Sequence, residues 1–105
     1  MRTYDLYGFQ SSDLETARKA IEGALETKMA PHESLYIGEY FLAKIGEEEI
    51  VLRRNRDPLD NELAEKNFPD VEILLYVNKT ARPKEIEKLL VAKVPKLVLL
   101  RRKDF

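Results

Sequence analysis

The chain has 105 residues, no cysteine, and 18 lysines and arginines against 19 aspartates and glutamates, for a formal net charge of -1 at pH 7. That length fits one domain with one core spanning residues 1–105, and the missing cysteine excludes disulfides, thiolate metal sites and cysteine nucleophiles. The balanced charge gives no global field for nucleic acid or an anionic membrane, so electrostatic recognition has to come from local patches.

Hydrophobic residues make up 44% of the chain and charged residues 35%, enough apolar surface to fold beneath a crowded, charged exterior. No apolar run approaches the roughly 18 to 20 residues that span a bilayer, and the opening MRTYDLYGF lacks the apolar core of a signal peptide. A cytoplasmic protein is expected.

Tyr4, Leu6 and Gly8 alternate with Asp5, Tyr7 and Phe9, which predicts a strand over about Thr3 to Phe9. Ser12 and Glu15 form an S-x-x-E capping box that opens a helix, expected over Ser12 to Thr27 and ended by Pro31. Leu14, Ala17, Ile21, Ala24 and Leu25 make its buried stripe, and Gly23 offers a point of close approach to a strand. From Leu35 to Asn55 the pattern becomes short and alternating, predicting two or three antiparallel strands, with Gly38 either a turn or a bulge. The connection RDPLDNELAEKNFPD, Arg56 to Asp70, is too long to lie structureless in a small domain. A helical turn with Leu59 and Leu63 facing inward is expected within it.

The remaining chain reads strand, helix, strand: Val71 to Val77, a helix from Pro83 with Ile86, Leu89 and Leu90 buried, and Leu97 to Leu100. Proline suits the first helical position because its missing N–H would be unpaired there. The near-continuous apolar runs predict two parallel strands at central positions, where truncating Leu75 or Leu99 to alanine should cost about 2 to 5 kcal/mol. The element order predicts an α+β, ferredoxin-like sandwich with a mixed sheet of five to six strands and two helices on one face.

Four constellations could carry chemistry. His32, the only histidine, is expected in a loop, and a lone histidine completes neither a catalytic triad nor a usual zinc site. Arg53 and Arg54, with Arg101 and Arg102, could clamp a phosphate or carboxylate, although alternation along a strand sends adjacent arginines to opposite faces. Asp57, Asp60, Glu62, Glu65, Asp70 and Glu72 surround the long connection without the spacing and central glycine of a calcium loop. These acids suit the steering of a cationic partner. Tyr36 and Tyr40 would share a face on one unbroken strand, and tyrosine is favoured at protein interfaces.

TYDLYGF, HESLYIGEYF, VLRRN and LLYVN together resemble small, largely uncharacterised bacterial proteins, some of them similar to immunity proteins that neutralise toxin domains. The resemblance implies a bacterial cytoplasmic protein that works by binding another protein; it implies no catalytic residue. The expected function is therefore a non-enzymatic protein-binding module using Asp57, Asp60, Glu62, Glu65, Tyr36 and Tyr40. The alternative is a small-anion or nucleic-acid binding domain using Arg53, Arg54, Arg101 and Arg102. Neither cofactor nor metal is expected, and nucleic acid and membrane are the less favoured partners. Were the protein an enzyme, His32, Tyr36 and Arg54 would be the side chains to test first. Reversing Asp60, Glu62 and Glu65 to lysine should slow association with a partner while hardly altering folding.

Overall fold

The apolar alternation of the first residues does form a strand, β1 (Thr3–Phe9), and the 3.6-residue stripe that follows forms helix α1 (Leu14–Leu25). The computed structural model describes residues 2–10 and 13–104. After α1 come β2 (Ala30–Ser34), β3 (Gly38–Ile45), β4 (Glu48–Arg54), β5 (Ile73–Thr80), helix α2 (Pro83–Lys93) and β6 (Val98–Asp104). The molecule is thus α+β, with one six-stranded sheet.

Helix α1 is capped by Asp13, whose carboxylate accepts the backbone N–H groups of Glu15 and Thr16 at 3.1 and 3.3 Å. Ser12, on which the predicted capping box rests, lies outside the described residues. The helix stops at Leu25, where Glu26 turns left-handed with φ of 53°, and not at Pro31. Pro31 instead belongs to β2, an edge strand, where a residue without an N–H removes nothing from the ladder if that side faces solvent. His32 is accordingly a strand residue and not a loop one.

The strand order is β2-β3-β4-β5-β1-β6, and every neighbouring pair is antiparallel. The expected mixed sheet is therefore wrong, and so is a central place for β6, which lies at the edge, although β5 and β6 do run parallel to each other within the one sheet. Strand β1 lies between them, antiparallel to both, and the crossover through α2 carries the chain over it. Burial explains the insertion: all of β1 except Tyr4 is buried, as a central strand requires. Strand β6 is only half-buried and ends in charged residues, as an edge strand allows.

Both helices cover one face. Leu14, Ala17, Ile21, Ala24 and Leu25 of α1 and Ile86 and Leu90 of α2 join Tyr7, Phe41, Ile50, Leu52, Leu75 and Val77 in a single core. Because side chains alternate along a strand, these positions define the helix-covered face. Tyr4, Leu6, Gly8, Leu74, Tyr76 and Asn78 point the other way. Leu75 is fully buried beneath both helices, whereas Leu99 is partly buried on the edge strand. In urea unfolding, Leu75→Ala should cost about 2 to 3 kcal/mol and Leu99→Ala about 1 kcal/mol. Equal costs would contradict the edge position of β6.

Close approach to the sheet occurs at Gly8 and not at Gly23, where an added Cβ would meet nothing within 4 Å. A Cβ on Gly8 would lie 2.5 Å from Val71 Cγ1 and 2.8 Å from Leu100 Cδ1. The chain leading into β5 and a bulge in β6 thus close over β1 on the face that the helices leave uncovered.

Candidate functional site

The long connection between β4 and β5 is organised by one side chain. Asn55, only 2% exposed, donates its amide to the carbonyls of Phe68 and Val71 at 2.9 and 2.8 Å and accepts the Glu65 N–H at 2.8 Å. Its backbone bonds with Ala64 and Glu72 add two more ties at 2.9 and 2.8 Å. These bonds fold the second half of the connection back over the uncovered sheet face. The first half forms a tight turn closed by Asp57 N–H to Glu62 O at 2.8 Å, with Asn61 left-handed at φ of 60°. A single turn closed by Asn61 N–H to Asp57 O at 2.9 Å does form here, but Leu59 on it is 57% exposed instead of inward-facing. A left-handed residue four positions after Asp57 interrupts the dihedral pattern that a helix would need.

Folding back delivers Glu65 onto the sheet. Its carboxylate takes a paired hydrogen bond from the Arg101 guanidinium at 3.0 and 3.3 Å and a further one from the Tyr76 hydroxyl. Burial alone would raise this carboxyl's pKa, but the hydrogen bonds from Arg101 and Tyr76 outweigh it and hold the pKa below its usual value. Burial, then the bond to Glu65, pushes the Tyr76 hydroxyl up. Glu65 thus stays ionised and Tyr76 protonated, so this acid serves as an internal anchor of the connection.

The four candidate arginines do not come together. Arg53 and Arg101 lie on the uncovered face, the first held by Asp57 and the second by Glu65. Arg102 lies on the helix-covered face, where it forks onto buried Asp5 at 2.8 Å and reaches Glu87 at 3.0 Å. Arg54 approaches Glu39 at 3.6 Å. Alternation separates Arg53 from Arg54 and Arg101 from Arg102, as the two-residue period dictates. Asp5 had no sequence signal beyond being a charge within an apolar strand, and it proves the most deeply buried carboxylate of the ion-paired set, with a side chain 0% exposed.

A different cluster forms at one end of the sheet. Gly38, at φ of 80°, closes the turn after β2 and would place a Cβ 3.1 Å from Pro58, so the β2–β3 turn and the acidic connection are packed together. At this tip Leu35 is 71% exposed, Tyr36 67% and Leu59 57%. Around them lie exposed Asp60 and Glu62 and the half-buried Asp57. Asp60 accepts the Glu62 N–H at 3.0 Å, and Glu62 pairs with Lys66 at 3.2 Å. Tyr36 and Tyr40 do not share a strand face, because the turn ending at Gly38 separates them. Tyr40 instead stacks on His32 with ring centroids 5.3 Å apart. Its register partner is Arg53, which places it on the uncovered face.

Among the described residues no group of three or more histidines, aspartates or glutamates is placed to hold a metal ion, and no helix is long and apolar enough to cross a membrane. Comparison with protein families, with curated proteins and with solved structures finds no match to the chain.

Proposed function

We propose that the protein is a non-enzymatic protein-binding module of the cytoplasm that presents the β2–β3 tip to a basic partner. One observation carries this reading: three large apolar side chains, Leu35, Tyr36 and Leu59, stand more than half exposed at a single end of the sheet, bordered by acids. Clustered apolar exposure rimmed by charge is the usual composition of an interface core and its rim. Tyr36 supplies an anchor with few rotatable bonds, and Asp60 and Glu62 supply steering charge. Glu65 contributes by fixing the connection in place; Tyr40, two residues past Gly38 on the uncovered face, is stacked on His32.

The narrower form of the reading is a bacterial immunity protein whose tip blocks a cationic toxin surface, and it is supported by the sequence resemblance alone. The scaffold under the tip is read as a ferredoxin-like core, made of β4, β5, β1, β6 and the two helices, extended at one edge by β3 and β2. The strand order and the passage of α2 over β1 support that reading.

The test is affinity capture from source cells with two baits, the native protein and a Leu35→Ser, Tyr36→Ser, Leu59→Ser variant. A protein retained by the first and lost by the second should, when purified, associate at a rate that falls with salt. Asp60→Lys with Glu62→Lys should slow it about tenfold without moving the unfolding midpoint, since exposed charges screened over roughly 10 Å at 0.1 M salt act on encounter more than on folding. Prey that bind both baits equally would overturn the reading.

A further inference from the structure

The face without helices is covered by its own chain on one side only. Through Glu65 the folded-back connection closes over β5, β1 and β6, and Leu74 and Leu6 on that side are 0% and 1% exposed. On the β2–β4 side of the same face Leu42 and Val51, register partners in the middle of the β3–β4 ladder, are only half-buried. Exposed Ala30 of β2 flanks Leu42, and half-buried Tyr76 of β5 flanks Val51. An apolar row thus crosses four strands in the open. One step along the strands lies a charged pair. Lys44 and Glu49 are register partners with side chains 67% and 37% exposed, their charged atoms 3.8 Å apart. Such a loose contact between exposed groups is worth little to folding.

Two sheets pack face to face with their strands nearly aligned, about 10 Å apart. An axis of two-fold symmetry lying along the strands, between β3 and β4, sets β3 of each copy over β4 of the other. Leu42 of each copy then faces Val51 of the other, and Lys44 of each faces Glu49 of the other, so that every contact occurs twice. The four charges close into a ring of alternating sign beside an apolar centre. Strand β2 falls over β5 of the other copy, which brings Ala30 onto Tyr76 and covers the whole row. An axis across the strands fits less well, because it turns Glu49 toward Arg53, whose guanidinium Asp57 already holds, and leaves Lys44 over Tyr40. Four strands about 4.8 Å apart, with about six residues of 3.4 Å each, span roughly 20 by 20 Å. The contact would bury on the order of 1,000 Å² in all, the lower bound of a specific association.

We propose that the protein forms a two-fold symmetric dimer through the β2–β5 part of this face, with Leu42 and Val51 at its centre and Lys44 and Glu49 along its border. A second copy carries the same two charges in the complementary order, which fits this row without any further partner. Because the axis runs along the strands, the Gly38 ends of both copies point the same way, and the dimer presents two tips on one side. The pairing itself does not depend on what the tips bind.

The experiment is sedimentation equilibrium over a concentration series. The mass of the native protein should rise from one chain to two, with a Kd in the micromolar range. Lys44→Glu and Glu49→Lys should each weaken the dimer about tenfold or more, since each brings four charges of one sign together. Mixed in equal amounts, the two variants should pair with each other at about the native affinity, because every contact again joins opposite signs. The double variant, Lys44→Glu with Glu49→Lys, should dimerise as the native protein does. Melting in solution dilute enough to hold monomers should hardly change in any of them, since neither side chain is buried. The Leu35→Ser, Tyr36→Ser, Leu59→Ser protein should dimerise normally, which separates this face from the tip. Native protein that stays monomeric at every concentration would overturn the proposal, the row then belonging to another protein or to none. So would single variants that dimerise as well as the native chain, a mixture that fails to pair, or a mass that continues beyond two chains, which would assign the association to an edge strand.

Discussion

Asp5→Ala should destabilise the protein by about 3 to 5 kcal/mol, measured by urea or thermal unfolding. The carboxylate is 0% exposed and receives two hydrogen bonds of 2.8 Å from Arg102, which also reaches Glu87 and the Pro83 carbonyl at 3.0 and 3.4 Å. The link joins the central strand, the edge strand and α2. Truncating the acid removes two of the guanidinium's hydrogen bonds, leaves it Glu87 and the Pro83 carbonyl as acceptors, and opens a gap beside the Tyr7 hydroxyl. Burial and the adjacent Asp5 charge push the Tyr7 hydroxyl pKa up, so that group stays neutral and cannot substitute as an anion. The companion variant Asp5→Leu with Arg102→Met removes both charges together and should recover most of the loss, because matched apolar replacement of a buried pair is often close to neutral. If the single variant lost less than about 1 kcal/mol, Arg102 would have to find another partner in the native protein, and the pair would not tie β6 to the sheet.

Glu65→Lys should cost about 3 to 4 kcal/mol, in contrast to reversal of Asp60 or Glu62. The Glu65 side chain is only 15% exposed, and reversal sets a third cation beside Arg53 and Arg101 while removing the acceptor of the Tyr76 hydroxyl. The expectation that all three acids could be reversed without harm to folding therefore fails at this residue, since its charge faces the sheet. Asp60 and Glu62 remain the pair for probing association.

The same geometry sets a pH dependence. Folding lowers the Glu65 pKa, so its contribution is fully present above the usual glutamate value of 4.5 and is lost as pH falls through the lower folded value. Amide exchange across residues 64–72 should accelerate in that acid range while β5 stays protected. Glu65→Gln should remove most of the pH dependence, and an unchanged profile in that variant would assign the acid sensitivity to another carboxylate.

Elements whose signal is local were legible in the sequence. The stripes of α1 and α2, the alternation of β1 and the apolar run of β5 each reflect a buried face that repeats with the element's own period. Strand β2 left no such signal because nearly all of it is exposed and it carries a proline. The insertion of β1 between β5 and β6 is a pairing choice among distant segments, to which periodicity is blind. The division of the arginine pairs between faces followed directly from strand geometry. Asn55 did not, since its role depends on carbonyls 13 and 16 positions away. The tip was half legible: the acids and Tyr36 stood out, but Leu35 and Leu59 became part of it only once the connection packed against the turn at Gly38.

The placement of β1 also bears on how the molecule acquires its structure. The strand is synthesised before both of its sheet partners, the first beginning at Ile73 and the second at Val98, and Thr3 hydrogen-bonds Asp104 across 101 positions. No hairpin can shelter it meanwhile. The β3–β4 hairpin and α1 can form from local contacts, whereas the centre of the sheet must await closure of very long loops, the kind of topology that folds slowly. During that interval Leu6, Tyr7 and Phe9 stay uncovered, so the nascent chain passes through a window in which its future core strand is the segment most open to chaperones or to pairing with another copy.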